Sequence, residues 1–471
     1  MVTFSLDFRG ALPLYEQLYD FLKARIVDGT FSSGEKLPSK RNLAKNLGVS
    51  VITVERSYAL LCDEGLLEPR AKSGFFVADG ISDFFTSLRE PGAEPSRERE
   101  EKPHRAPDEG KWHIDFSSNK NDVKKFPFSI WAQLARDVLG KNRRELLENP
   151  PAKGVYTLRR AISRHLEAFR AMRVNPERIV LGAGTEYLYG LLVQLLGFDV
   201  CYGIENPSYG KIKKVYGSYG VRCEKISMDK NGIILRELED AHTDVIHISP
   251  SHHFPTGIVM PMTRRMELLR WAERSARRYI IEDDYDSEFR FSGRPIPSLK
   301  SIDKSEKVIY MNTFTKTLAS TIRISYMVLP ERLARAFDEK LGFYSCTVPT
   351  IEQFTLERFI SGGFFEKHIN RTRKNYHVKR DLILRAIGRF DAQKRFQILE
   401  EDSGLHFLLK LSETEPLGAF LARMERERIR ILPLSAYYEN PPPDSERVFV
   451  VNYAGIPEEN IEEAVRKLVG D

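Results

Sequence analysis

The chain has 471 residues, too many for one ordinary domain, and this length predicts two or three. Hydrophobic residues make up 42% and charged residues 29%, which excludes disordered and fibrous classes and allows a large core. The formal net charge of +6 permits a polyanionic partner without demanding one.

Residues following Met1 do not lead a charged stretch into an apolar run, so no signal peptide is expected. In residues 11–79, Leu14, Leu18, Phe21, Leu22 and Ile26 recur at helical spacing and predict a first helix ending near Gly29. Ser39 can cap a short second helix that Gly48 breaks, and Ser50 can cap a third running to Asp63 and Glu64. Leu66–Pro69 and Gly74–Val77 then read as two short strands around a tip at Arg70–Ser73. Three helices followed by a hairpin is winged helix-turn-helix order. A major groove admits one helix, whose first turn reaches base edges, and the wing lies against the neighbouring backbone. Ser39, Arg41, Ser50 and Thr53 are placed to meet phosphates or bases of double-stranded DNA, with Arg56 one turn later. Lys72, Ser73 and Gly74 sit at the wing tip, where Gly74 allows close backbone approach.

The run from Gly34 to Ser50, continued by Thr53–Leu61 and Glu64–Leu67, resembles the GntR-type winged-helix domain over nearly all of residues 12–78. It departs from that family at Val51 and Glu55, where members often carry arginines, so the resemblance implies DNA binding but no operator sequence.

From Asp83 to Lys111 apolar residues almost vanish and charge and proline dominate, which predicts a flexible linker. The expected division is 1–80 for the DNA-binding head, 81–112 for the linker and 113–471 for a larger body. Within the body, Tyr187 to Val200 is the longest apolar stretch. Gln194 interrupts it and it is too short to span a bilayer, so no membrane partner and a cytoplasmic location are expected. Ile179–Gly182, Val245–Ile248, Tyr279–Glu282 and Val308–Met311 read as buried strands alternating with helices. That pattern predicts an α/β body with a mostly parallel sheet, followed from about Phe337 by long helices and a smaller α+β lobe.

Asp283, Tyr285, Lys316 and Arg323 carry the chemistry. A lysine supplies an amine for a Schiff base, an acidic residue keeps a ring nitrogen protonated, and hydroxyls with an arginine neutralise a phosphate: the set that pyridoxal phosphate requires. His247, His252 and His253 lack a cysteine or carboxylate in metal spacing, and no metal is expected. The four cysteines (Cys62, Cys201, Cys223 and Cys346) are scattered and predict free thiols in a reducing compartment.

The body resembles fold type I pyridoxal-phosphate aminotransferases. Gly154–Arg159, Gly182–Glu186, Glu205–Tyr209 and Pro255–Gly257 stand in the expected order. The resemblance implies that Lys316 forms the imine, Asp283 pairs with the pyridinium, Tyr285 meets the phenolic oxygen and Tyr209 stacks on the ring. It also implies that Gly184, Thr185, Thr313, Thr315 and Arg323 cup the phosphate. Departures bear on turnover. Phe254 replaces the usual asparagine before Pro255, the usual carboxylate-binding arginine aligns with Val450, and Lys211 stands where some members carry an effector-binding arginine. Lys211 and the nearby Arg447 remain the candidate effector contacts. A GntR-like head tethered to such a body resembles the MocR/GabR-type regulators. This implies a homodimer, head to tail, whose DNA binding responds to pyridoxal phosphate or to a small amino compound condensed with it. It further implies weak transaminase activity at most, and the alternative is an active aminotransferase with an accessory DNA-binding domain.

Overall fold

Helix α1 (Leu14–Val27) presents Leu18, Leu22 and Ile26 on one face, and all three are buried. The computed structural model describes residues 6–7, 12–71, 73–81, 112–118, 122, 125–141, 144–290, 296–402 and 404–470, in two units, Met1–Ala106 and Pro107–Asp471. The stretch expected to be a linker lies, apart from Ile81 and Trp112, outside the described residues, as does Lys72.

In the first unit, Ser39 caps α2 (Lys40–Leu47) by accepting from the amide of Asn42 at 3.2 Å, and Ser50 caps α3 (Val51–Asp63) through the amide of Thr53 at 3.1 Å. Each cap satisfies an amide that the helix leaves unpaired and contributes about 1 kcal/mol. Gly48 ends α2 in the left-handed region (φ 67°), which a side chain would resist. Val54, Tyr58 and Leu61 of α3 pack on the buried face of α1, each worth about 1.5–3 kcal/mol of transfer free energy. Antiparallel strands β1 (Leu67–Arg70) and β2 (Gly74–Val77) form the wing, with Leu67 opposite Val77. The Tyr58 hydroxyl donates to the Pro38 carbonyl at 2.8 Å, and its ring meets Phe75 of β2 edge-on at 4.9 Å, locking the wing to α3.

The second unit opens with β3 (Ile114–Asp115) and is built on an eight-stranded sheet. Across it run β4 (Ile179–Gly182), β11 (Ser325–Val328), β10 (Val308–Thr313), β9 (Tyr279–Asp283), β8 (Val245–Ile248), β5 (Tyr202–Asn206), β6 (Cys223–Asp229) and β7 (Gly232–Ile233). From β10 to β6 all pairings are parallel, while β11 runs antiparallel to both β4 and β10. β4, β5, β8, β9, β10 and β11 are buried nearly throughout, as expected of strands covered by helices on both faces.

A four-stranded antiparallel sheet, β12 (Phe396–Leu399), β13 (His406–Leu411), β16 (Val448–Asn452) and β15 (Leu432–Pro433), forms the C-terminal lobe. β14 (Ile429–Arg430) pairs in parallel with β3, so the start of the body is stitched into its last third. The 27-residue helix Phe364–Phe390 carries Ile369, Tyr376, Ile383 and Ile387 into the same core. Expected and observed architectures agree: a winged helix-turn-helix, a mostly parallel α/β body and a smaller α+β lobe. No helix among the described residues is long and apolar enough to cross a membrane.

Candidate functional site

Loops at one edge of the eight-stranded sheet converge on a cleft of about 250 Å3. β4, β5, β8, β9 and β10 run in the same direction, and the segments leaving their C-terminal ends carry Thr185, Ser208, Ser249, Asp283 and Lys316. β11 runs the other way, so Arg323, two residues before its start, reaches the same edge. Open parallel sheets place ligands at this edge because the strands diverge and the helix N-termini point there.

Of the residues the sequence singled out, Thr185, Tyr209, Lys211, Asp283, Tyr285, Thr313, Thr315, Lys316 and Arg323 all line the cleft. Gly184 precedes the lining residue Thr185 as the N-cap of the helix Thr185–Leu196, with φ 97°. A Cβ there would sit 2.2 Å from Nη2 of Arg323 and push the guanidinium aside, and the positive φ itself disfavours any side chain. Thr313 serves as a cap as well as lining the cleft. Its hydroxyl accepts from the Thr315 amide at 3.2 Å and from Ser325 at 2.8 Å, which fixes the short turn Phe314–Thr317 that carries Lys316.

Arg447 requires a correction. Its guanidinium donates to the Glu415 carbonyl at 2.7 Å and to that of Ser412, and it lines a separate surface groove with Lys410 and Asp444. It precedes β16, where Val450 is buried opposite Leu408 and Leu432, so this strand presents no arginine to the cleft. Lys211, Lys316 and Arg323 are the cationic side chains among the described lining residues.

Several contributors were not read from the sequence. The Tyr189 hydroxyl donates to Oδ2 of Asp283 at 2.9 Å, His247 Nε2 lies 3.4 Å from the same oxygen, and Tyr216 holds His247 Nδ1 at 2.9 Å. Tyr189 stands one turn after Thr185, and that four-residue spacing was the available signal. Glu205 accepts from the Ser249 amide at 3.0 Å, and burial pushes its carboxyl up to about 8. Glu186 bridges Lys211 and Arg323 at the cleft's edge.

The cleft fits pyridoxal phosphate on three counts. Oδ1 of Asp283 is buried without a hydrogen-bond partner, suited to a cationic ring N–H, and the buried Tyr285 hydroxyl is likewise unsatisfied. Burial lowers the Lys316 amine to about 8, against the partial opposition of Asp286, which brings the nucleophilic form within reach of neutral pH. The glycine-cleared helix N-terminus beside Arg323 suits a phosphate. Around this site, His252 pairs with Asp286 at 3.0 Å and Arg170 with the buried Asp284 at 2.8 Å. No cluster of three or more metal-ligating side chains occurs among the described residues.

In the first unit, Arg41, Ser50 and Arg56 are exposed, and Thr53 partly so, along α2 and α3. Ser39 and Ser50 each use an acceptor in capping, and Arg56 lies over the Tyr15 ring at 5.7 Å. Lys40 pairs with Glu55 at 2.5 Å, which offsets the carboxylate on the helix face. At the wing tip the Ser73 amide donates to Arg70, and Gly74 adopts φ 120°.

Comparison with known proteins covers both units. Residues 14–77 match the model for bacterial regulatory proteins of the gntR family, and residues 112–468 that for class I and II aminotransferases. The chain is 35% identical to the uncharacterized HTH-type transcriptional regulator YdeL of Bacillus subtilis (strain 168), over 97% of this chain and 96% of the relative. It is 31% identical to the probable rhizopine catabolism regulatory protein MocR of Rhizobium meliloti, over 98% and 94% of the two chains. Among solved structures, an archaeal alanine:glyoxylate aminotransferase shares the fold, with a TM-score of 0.67 and 24% identity over 76% of this chain and 90% of that one.

Proposed function

We propose, since the chain belongs to the MocR-type HTH transcriptional regulators, with a GntR-family head and a class I and II aminotransferase body, that chemistry at Lys316 governs how its head engages DNA. The protein is a transcriptional regulator that binds DNA through its winged helix and pyridoxal phosphate through its body. The observation that carries the proposal is the convergence of Lys316, the unsatisfied Asp283 Oδ1 and Tyr285 hydroxyl, and Arg323 on one cleft of a chain that also carries a DNA-reading helix.

Each residue takes a role that its surroundings support. When bound, the cofactor supplies an aldehyde for a primary amine and a ring that withdraws electrons. Asp283, braced by Tyr189 and His247, holds a proton at the ring nitrogen. Tyr285 would hydrogen-bond the phenolic oxygen, Tyr209 would cover a ring face, and Thr185, Thr313, Thr315 and Arg323, with the helix N-cap Gly184, would hold the phosphate. Lys316, low in proton affinity, would offer its lone pair to the cofactor's aldehyde.

Turnover is weak. Transamination requires a cation fixed on the substrate carboxylate, and neither Val450 nor Arg447 supplies one, while Phe254 fills the asparagine's place with a ring packed 5.3 Å from Tyr437. The effector is pyridoxal phosphate itself or an amino compound that exchanges with Lys316. Such a ligand alters DNA binding by preferring one arrangement of the protein over another. The regulator acts in the cytoplasm as a head-to-tail homodimer, whose two heads engage paired half-sites and gain effective concentration from their tether.

The test is a titration of the full-length protein with pyridoxal phosphate and then with amino acids, following absorbance near about 420 nm and promoter binding on the same samples. DNA affinity is expected to change in step with the spectrum. Lys316→Ala is expected to remove both responses, and deletion of residues 1–80 to abolish DNA binding while leaving the absorbance. DNA affinity indifferent to a saturating spectral change refutes the proposal. Sustained conversion of an amino acid at ordinary enzyme rates favours the aminotransferase alternative.

A further inference from the structure

The Glu186 carboxylate is the unexpected group at the phosphate end of the cleft. Its Oε2 accepts from Nη2 of Arg323 at 2.7 Å, and its Oε1 is ion-paired with Nζ of Lys211. A Cβ built on Gly184 would come within 2.2 Å of Arg323 Nη2 and 2.9 Å of Glu186 Oε2. The guanidinium–carboxylate pair therefore lies directly over the N-terminus of the twelve-residue helix that begins at Thr185. Burial works to raise the carboxyl's proton affinity, but the hydrogen bond from Lys211 and the charge of Arg323 more than offset it, and the group stays ionised.

A phosphate at this helix end requires the same cation. Glu186 takes Nη2 of Arg323, so a phosphate here competes with it for that edge of the guanidinium, and a carboxylate released beside a phosphate dianion needs a cation of its own. Lys211 is already seated on that carboxylate and can retain it.

We propose that Glu186 is a built-in competitor for the cofactor's phosphate. Arg323 is shared between the two anions, and Lys211 is the counter-ion that holds the displaced carboxylate. This rests on the cofactor assignment above and deepens it. The fraction of molecules in which Arg323 is free scales the apparent affinity. Glu186 thus weakens the hold on the phosphate and keeps occupancy reversible, as a sensor of ligand concentration requires. It also makes Lys211 a specificity residue for the phosphorylated ligand, acting through Glu186.

The experiment compares wild type, Glu186→Gln, Lys211→Met and the double variant in full-length protein, each titrated by absorbance with pyridoxal phosphate and with pyridoxal, which lacks the phosphate. Glu186→Gln is expected to tighten pyridoxal phosphate about ten- to a hundredfold, the range of one charge-assisted hydrogen bond, and to leave pyridoxal unchanged. Lys211→Met is expected to weaken pyridoxal phosphate about tenfold in the wild-type background and to have little effect beside Glu186→Gln, a coupling that the double variant reads directly. Inorganic phosphate is expected to displace pyridoxal phosphate at lower concentration from Glu186→Gln than from wild type. Equal changes for both ligands, weaker pyridoxal phosphate binding in Glu186→Gln, or additive effects in the double variant would each overturn the inference. A variant that misfolds is exposed by loss of pyridoxal binding, and Lys211→Met then decides by its own shift. Wild type that binds neither ligand would instead overturn the cofactor assignment itself.

Discussion

The depressed proton affinity of Lys316 makes a rate prediction. An ordinary lysine, at 10.5, is neutral at pH 7 in about one molecule in 3,000, whereas an amine at about 8 is neutral in about one in ten. Only the neutral amine attacks an aldehyde, so at pH 7 Lys316 is expected to capture pyridoxal phosphate about 300-fold faster than a solvent-exposed lysine of equal reach. The sign follows from burial, which destabilises the charged form. The rate is expected to rise about tenfold per pH unit below pH 8 and to level off above it. Asp286 works against the depression, so Asp286→Asn is expected to move the inflection to lower pH. Stopped-flow absorbance over roughly pH 6 to 10, with Lys316→Ala as the blank, measures the profile. A rate that climbs without a break past pH 9 would mean that the amine titrates as if in water, and the argument from burial would fail.

Arg170→Met leaves Asp284 as an uncompensated carboxylate in a buried site. Loss of about 3–5 kcal/mol is expected, read as a lower denaturation midpoint of the body, and Asp284→Asn in the same chain is expected to recover part of it. Gly184→Ala forces a side chain into the left-handed region and against Arg323. It is expected to lose pyridoxal phosphate affinity with secondary structure intact, as equilibrium dialysis and circular dichroism can check. Arg41→Ala is expected to weaken DNA binding across sequences and to lower the slope of log affinity against log salt by about one, measured by fluorescence anisotropy at several salt concentrations. An unchanged slope would place Arg41 away from the phosphates.

Much of the head was legible because its signals are local. Ser39 and Ser50 stand next to the helices they cap, Gly48 closes the helix it follows, and Gly74 marks the wing turn. Capping and left-handed turns depend on a few consecutive residues, so reading them needs no knowledge of the rest of the chain. The buried strands were legible for a similar reason, since an apolar run such as Val308–Met311 tolerates burial along its whole length. Arg447 misled because nearness in sequence to the strand resembling the carboxylate-binding one does not say where a long side chain turns. Two carbonyls, of Ser412 and Glu415, draw it away from the cleft.

By itself the sequence determined the kinds of element, their order and the chemical groups carried at the strand ends, because propensity, capping and covalent position act over short distances. Only the tertiary structure decided which groups meet. The reversal of β11 brings Arg323 to the edge where Lys316 emerges, the spacing of β9 from the helix Thr185–Leu196 sets Tyr189 against Asp283, and the room above Gly184 lets Glu186 claim the arginine. The last two of these meetings join residues scores of positions apart. Sheet pairing and side-chain packing across the core settle them, and no window of adjacent residues contains that information.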